Sequence, residues 1–185
     1  MKKIVIATLV GAVVVFAYQA LSWMVTPIHA DSFRYSEKDQ EVYAFLSERL
    51  TDDAVYFFPG KPPGMSEEEH HKEMEAYAGK PWMMVTSHAA MDMDMAGNML
   101  TGFLYSILSV LMIVWILTAA SSVFTSFGSR FFVCLLFGIF LVLNSTLADL
   151  NWFSTPWHFT QGELIDGVVT WALCGVWLGF YMKPE

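Results

Sequence analysis

Four long apolar runs constrain this chain more than any other feature. They cover residues 4–26, 100–120, 131–148 and 164–182. About 20 mostly apolar residues, wound as a helix, match the hydrocarbon thickness of a bilayer. Lipid offers no partner to backbone N–H and C=O groups, so each run is expected to be a helix that closes its own hydrogen bonds. Only 15% of the 185 residues are charged and mean hydropathy is +0.45, whereas an average soluble domain is about 25% charged. That excludes a disordered chain and an ordinary soluble enzyme domain. The formal charge of −8 also argues against nucleic acid as a partner.

Charge placement predicts the orientation. Residues 27–98 hold 14 acidic and 6 basic side chains, and the remaining basic residues are Lys2, Lys3, Arg130 and Lys183. A cytoplasmic N-terminus puts all four of these on the cytoplasmic side, as the positive-inside rule requires. Residues 27–98 and a loop at 149–163 then face outward, and both termini face inward. Trp23, Trp152 and Trp157 fall near the outward helix ends, where amphipathic indoles anchor at the interface. The first run reads as an uncleaved signal anchor. A cleaved signal peptide ending at Ala17 or Ala30 is the alternative, and the length of the run, about 23 residues against roughly 7–15 for a signal core, argues against it.

The outward segment is too long and too patterned for a bare loop. Ser36 and Asp39 precede Val42, Phe45, Leu46 and Leu50 at helical spacing, which predicts a helix. Ala54-Val55-Tyr56-Phe57-Phe58 reads as a strand, and residues 59–64, rich in Pro and Gly, as a turn. Ser66 with Glu69 is a capping box that opens a second helix ending at Gly79. Residues 81–87 read as a second strand. A right-handed crossover would make the two strands parallel, and an antiparallel pair is the alternative. The fold class is thus a four-helix transmembrane bundle with a small helix-strand-helix-strand α/β insertion between its first two helices. About 70 residues make a marginal core, so the insertion is expected to lean on the helices, on a second copy or on a partner.

Several short motifs span most of the chain. They are Met1-Lys2-Lys3, Leu21-Ser22-Trp23-Met24 leading to Pro27-Ile28-His29, Val55-Tyr56-Phe57-Phe58-Pro59, Met91-Asp92-Met93, and Asn151-Trp152-Phe153-Ser154-Thr155-Pro156 before the helix that holds Asp166. In these the chain resembles an uncharacterised family of small bacterial four-helix inner-membrane proteins with a periplasmic domain. The resemblance implies that fold and location and brings no catalytic residues with it.

Four sets of residues are candidates for chemistry. His88 with Met91, Met93 and Met95 offers imidazole and thioether donors that suit Cu(I). The competing reading is packing at a membrane entry, since Met fills gaps readily. Asp149, His158, Glu163 and Asp166 form a polar group at the outward edge. An ionisable residue at membrane depth is a functional hypothesis by default. Asp166 is the central one, with His158 as a candidate partner. The competing reading is structural hydrogen bonding to a neighbouring helix. Glu67, Glu69, His71 and Glu73 fall one turn apart, where a solvated acidic face is the simpler account than a divalent-cation site. Gly175 with Gly179, and Ala7 with Gly11, are small-xxx-small pairs that let helix backbones approach. Their spacing leaves open whether the contacts lie within one chain or between chains. Cys134 and Cys174, both inside apolar runs, are expected to behave as small apolar residues.

No nucleophile elbow, phosphate loop or dinucleotide-binding glycine pattern is present. The expected function is non-enzymatic and without a cofactor: an inner-membrane protein of interaction or accessory type, such as an assembly factor, accessory subunit or envelope sensor. Its partners would be the bilayer and a protein or a second copy of itself. The alternative is a small transporter or channel for protons or cations using Asp166, Asp149 and His158. Periplasmic copper handling through residues 91–95 is a third reading.

Overall fold

The structure is a computed structural model and describes residues 1–183. It is mostly helical, with four helices long and apolar enough to cross a membrane and one small two-stranded sheet. The chain divides into two units. One comprises residues 1–34 and 94–183, and the other is Tyr35–Met93. The insertion is therefore narrower than the 27–98 expected from sequence.

In the first unit the long helices are α1 (Lys2–Met24), α4 (Met95–Ala119), a third helical stretch and α7 (Trp157–Tyr181). The third stretch is α5 (Phe127–Leu141), a π-helical segment (Val142–Thr146) and α6 (Leu147–Trp152) run together. This corrects two expectations. The third run is a helix of 26 residues, Phe127–Trp152, because Ser126 caps it upstream of the apolar stretch through a capping box with Ser129. The expected 149–163 loop shrinks to residues 153–156. Pro156 stands at the N-cap of α7, so polar His158, Gln161 and Glu163 already lie on the helix.

The helices pack as a row, α4 beside α1, α1 beside α7, and α7 beside α5. Neighbours run antiparallel. In α1, Gly11 meets Val110 of α4 and Phe16 meets Phe103 edge to face. The Trp177 indole N–H in α7 donates to the Ala7 carbonyl oxygen at 3.0 Å. Ala7, Val110, Ile113, Val114, Cys134, Cys174 and Leu178 form a fully buried core. The two free cysteines thus sit where sequence placed them.

The small-residue pairs serve contacts within the chain. A Cβ on Gly175 would lie 3.1 Å from Cys134 and Phe131, and one on Gly179 would lie 2.7 Å from the Phe127 ring. The tightest approach is one the sequence reading did not single out. A Cβ on Gly138 of α5 would stand 2.6 Å from the Gly167 carbonyl oxygen of α7, a backbone atom that cannot swing aside.

The second unit holds α2 (Asp39–Ser47), β1 (Ala54–Phe58), α3 (Glu67–Ala76) and β2 (Met83–Ser87). The expected order of elements is present. The strands pair antiparallel, with Val55 opposite Thr86 and Phe57 opposite Met84, so the parallel crossover is not formed. The 24 intervening residues, 59–82, return the chain by a turn and a helix on the way back. Ser66 accepts from the Glu69 N–H, and the Glu69 side chain takes the Ser66 N–H, completing the capping box.

Two predictions follow from this packing. Gly138→Ala should cost about 1–3 kcal/mol of bundle stability through overpacking, while Gly128→Ala, with only Ser126 Oγ near at 3.9 Å, should be neutral or stabilising. Denaturant midpoints in detergent would compare the two. Hydrogen bonds from the Ser66 hydroxyl and N–H hold the Glu69 carboxyl below its ordinary value, and the Lys61 ammonium does the same for Glu67. A depressed folded pKa gives stability that is present above the ordinary carboxylate range and is lost as pH falls through the lowered value. Exchange protection of the α3 amides should therefore fall on acidification, and Ser66→Ala should flatten that dependence.

Candidate functional site

Asp166 is buried on α7, where the apolar stretch of that helix has already begun. A carboxylate out of water needs donors for its lone pairs, and three groups supply them. Tyr18 OH donates to Oδ1 at 3.0 Å, Ser22 Oγ to the same oxygen at 2.6 Å, and His29 Nε2 lies 2.9 Å from Oδ2. Tyr18 and Ser22 are one turn apart on α1, so both hydroxyls reach α7 from one face. His29 comes from the 3-10 turn Pro27–His29 just beyond α1. Thr26 caps that turn by accepting from the Ile28 N–H at 3.4 Å, and Pro27 suits its first position.

The imidazole is held on every side. Trp23 stacks on it at 3.7 Å between ring centroids, with 9° between the planes. Gly162 lies against the ring, where a Cβ would come within 2.7 Å of Cε1. His29 Nδ1 lies 3.3 Å from the Ser32 hydroxyl. The Nε2 position thus faces a carboxylate and the Nδ1 position a hydroxyl. The stacked indole covers one face of the imidazole beside its contact with Asp166.

Beside this cluster lies a cavity of about 340 Å³. Asp166 and Glu163 reach it from α7, and Gln19 and Trp23 from α1. Ser145 and Thr146 of the π-helical segment form another wall, with Thr170 and Trp171 completing it. Helices depart into π geometry most often at functional sites. Irregular backbone at membrane depth is tolerated where protein buries it or a cavity receives its freed groups.

Of the sequence candidates, the structure brings together Asp166 and Glu163. His158 is not the partner of Asp166, which corrects that expectation: the imidazole that meets the carboxylate is His29. Sequence reasoning missed it because the two residues stand 137 positions apart. The available signal was a histidine placed directly after the end of the first apolar run. Asp149 is exposed, and its carbonyl oxygen accepts the turn bonds of Phe153 and Thr155. His88 is exposed, 3.7 Å from Asp53. Met91 is 85% exposed and, with Met93, falls in the unit Tyr35–Met93, whereas Met95 begins α4 in the other unit. Among the described residues no group of three or more His, Cys, Asp or Glu side chains is placed to hold a metal.

A second buried charge lies at the opposite end of α7. Arg130 of α5 donates through Nε and Nη2 to the Gly179 carbonyl oxygen at 3.1 and 2.9 Å, and through Nη1 to that of Phe124 at 3.0 Å. It caps the Gly179 carbonyl in the last turn of α7 and ties it to the Phe124 carbonyl just before α5.

Comparison of the chain with protein-family models, with curated proteins and with solved structures finds no match. The geometry itself must therefore carry the reading.

A double-mutant cycle tests whether His29 and Asp166 act as one unit. Asp166→Asn and His29→Phe should each destabilise the bundle in detergent, with a coupling energy of about 1–3 kcal/mol. Additive losses would show that the two side chains are merely neighbours.

Proposed function

We propose that this chain is a non-enzymatic membrane protein of interaction or accessory type, which uses its helical bundle to hold the unit Tyr35–Met93 against a second protein chain. One observation carries the reading: no residue from Tyr35 to Met93 is buried. An isolated two-stranded sheet is marginal in water and needs a hydrophobic face covered. Here the face that carries Val55, Phe57, Trp82 and Met84 remains exposed, and Phe57 and Trp82 stack at 5.2 Å. Aromatic and Met side chains are the types enriched where proteins dock on each other. The charge pattern supports a bacterial inner-membrane setting in which Lys2, Lys3, Arg130 and Lys183 face the cytoplasm and this unit faces outward.

A second reading, a small transporter or channel for protons or cations, is favoured by the cavity that reaches Asp166. Against an open pore stand the fully buried Val110, Ile113, Val114, Cys134 and Leu178, which fill the bundle further along.

Phe57→Glu separates the two readings. It should abolish crosslinking of the full-length protein to its partner in native membranes and leave the bundle's stability in detergent unchanged. A crosslinking pattern identical to that of the parent protein would remove the docking reading. Flux into liposomes that vanishes in Asp166→Asn would promote the second.

A further inference from the structure

Glu163 is the unexplained group in the cavity. It is half-buried on α7, and among the described residues its carboxylate has no hydrogen-bond or ion-pair partner. Carboxylates withdrawn from water are ordinarily paired or coordinated. Asp166, on the same wall, meets three donors but has oxygen lone pairs to spare, since an ionised carboxylate offers about four acceptor sites. No Lys or Arg lines the cavity, and Arg130 is committed to carbonyls at the far end of α7. Two carboxyl groups and a single imidazole meet at this end of α7, so the cavity suits a positive guest.

The walls narrow the choice of cation. A volume of about 340 Å³ is at the small end of organic-ligand pockets and far exceeds a bare metal ion. Trp23 and Trp171 contribute indoles, which attract cations through their ring quadrupoles. Ser145 and Thr146 add hydroxyl acceptors from the π-helical segment. Thr170 is 2% exposed and lines the same space, and its hydroxyl has no hydrogen-bond partner among the described residues. Several acceptors around one negative pocket suit a group with several N–H donors.

We propose that this cavity binds a primary ammonium group, with Glu163 as its counter-charge, Asp166 and the hydroxyls of Thr146 and Thr170 as further acceptors, and Trp23 and Trp171 as the aromatic walls. The ammonium belongs either to a free small amine or to an aminoethyl lipid headgroup. The proposal rests on the second functional reading in one respect, that the Asp166 cavity is a working site. It does not require passage across the membrane.

The test uses the full chain in phosphatidylcholine nanodiscs, with ethanolamine titrated against intrinsic tryptophan fluorescence at constant ionic strength. Saturable binding is expected, about tenfold or more weaker in Glu163→Gln, because the charge-assisted bond is lost. Thr170→Val should weaken it severalfold, and Glu41→Gln, at an exposed acid of α2, should leave it unchanged. In phosphatidylethanolamine nanodiscs, loss of the ethanolamine response identifies the lipid headgroup as the occupant, while a retained response identifies a free amine. The proposal is overturned by no saturable response in phosphatidylcholine, by equal affinity in a folded Glu163→Gln, or by equal potency of tetramethylammonium, which has no N–H to donate. Ion flux dependent on Asp166 without ethanolamine binding would leave the transport reading standing and remove this one. Binding without flux would do the reverse.

Discussion

A carboxylate inside an apolar helix has to be answered by donors, and the answer to Asp166 organises one end of the bundle. Its three partners come from α1 and from the turn that leaves it. Tyr18 and Ser22 fix the rotation of α1 against α7. His29 fixes where the chain goes after Met24, because a residue five positions past the helix must return to face α7. Gly162 is then required by space, and Trp23 covers the ring from the other side. Arg130 applies the same logic with opposite sign at the far end, where a buried cation meets carbonyl oxygens. The two ends of α7 are thus tied to neighbours by polar groups, while its middle is held by close packing.

The close packing also explains where the cavity opens. Along α5 and α7, Gly179, Gly175 and the Gly138–Gly167 contact keep the backbones near each other. A Cβ on Gly167 would lie 2.6 Å from Val142 Cγ2, so the seam is tight up to that residue. Val142 is also where the π-helical segment begins. The wider turn shifts the next residues around the axis. Ser145 and Thr146 consequently line the cavity with α7 and α1, where continued α-helix would rotate them elsewhere. The site is the place where the zipper of small residues ends.

How much of this was legible depends on the range over which each feature is encoded. The four long apolar helices follow from composition and local hydrogen bonding, so they are legible directly. Their ends were not, because an apolar run marks where lipid is expected and a helix continues past it wherever caps allow. Ser126 lengthens the third helix and Pro156 starts the fourth early. Strand β1 and the Ser66 capping box depend on neighbours in sequence and were visible. The antiparallel pairing depends on how 24 residues double back, which spacing alone leaves undecided. Asp166 stood out as an ionisable residue at membrane depth, but its partner His29 is a tertiary fact. Arg130 reads only as a topogenic charge, since nothing local announces that it bends inward to a carbonyl 49 residues away.

Exposure has opposite meanings in the two units. Leu9, Trp115 and Phe140 are exposed on long apolar helices, and in a bilayer acyl chains are their solvent, so they need no protein cover. Val55, Phe57 and Met84 are exposed on a short sheet within a segment too charged to lie in hydrocarbon. Water there penalises each by the ordinary hydrophobic cost of about 25 cal/mol per Å². The unit Tyr35–Met93 lacks a buried side chain to offset the ordering of its backbone. Its α3 is half glutamate and secures itself through capping and ion pairs rather than burial. The sheet therefore keeps an apolar face exposed, and that face is what the proposed docking role would cover. In the bundle, by contrast, the polar cluster around Asp166 holds the turn Pro27–His29 in place against α7.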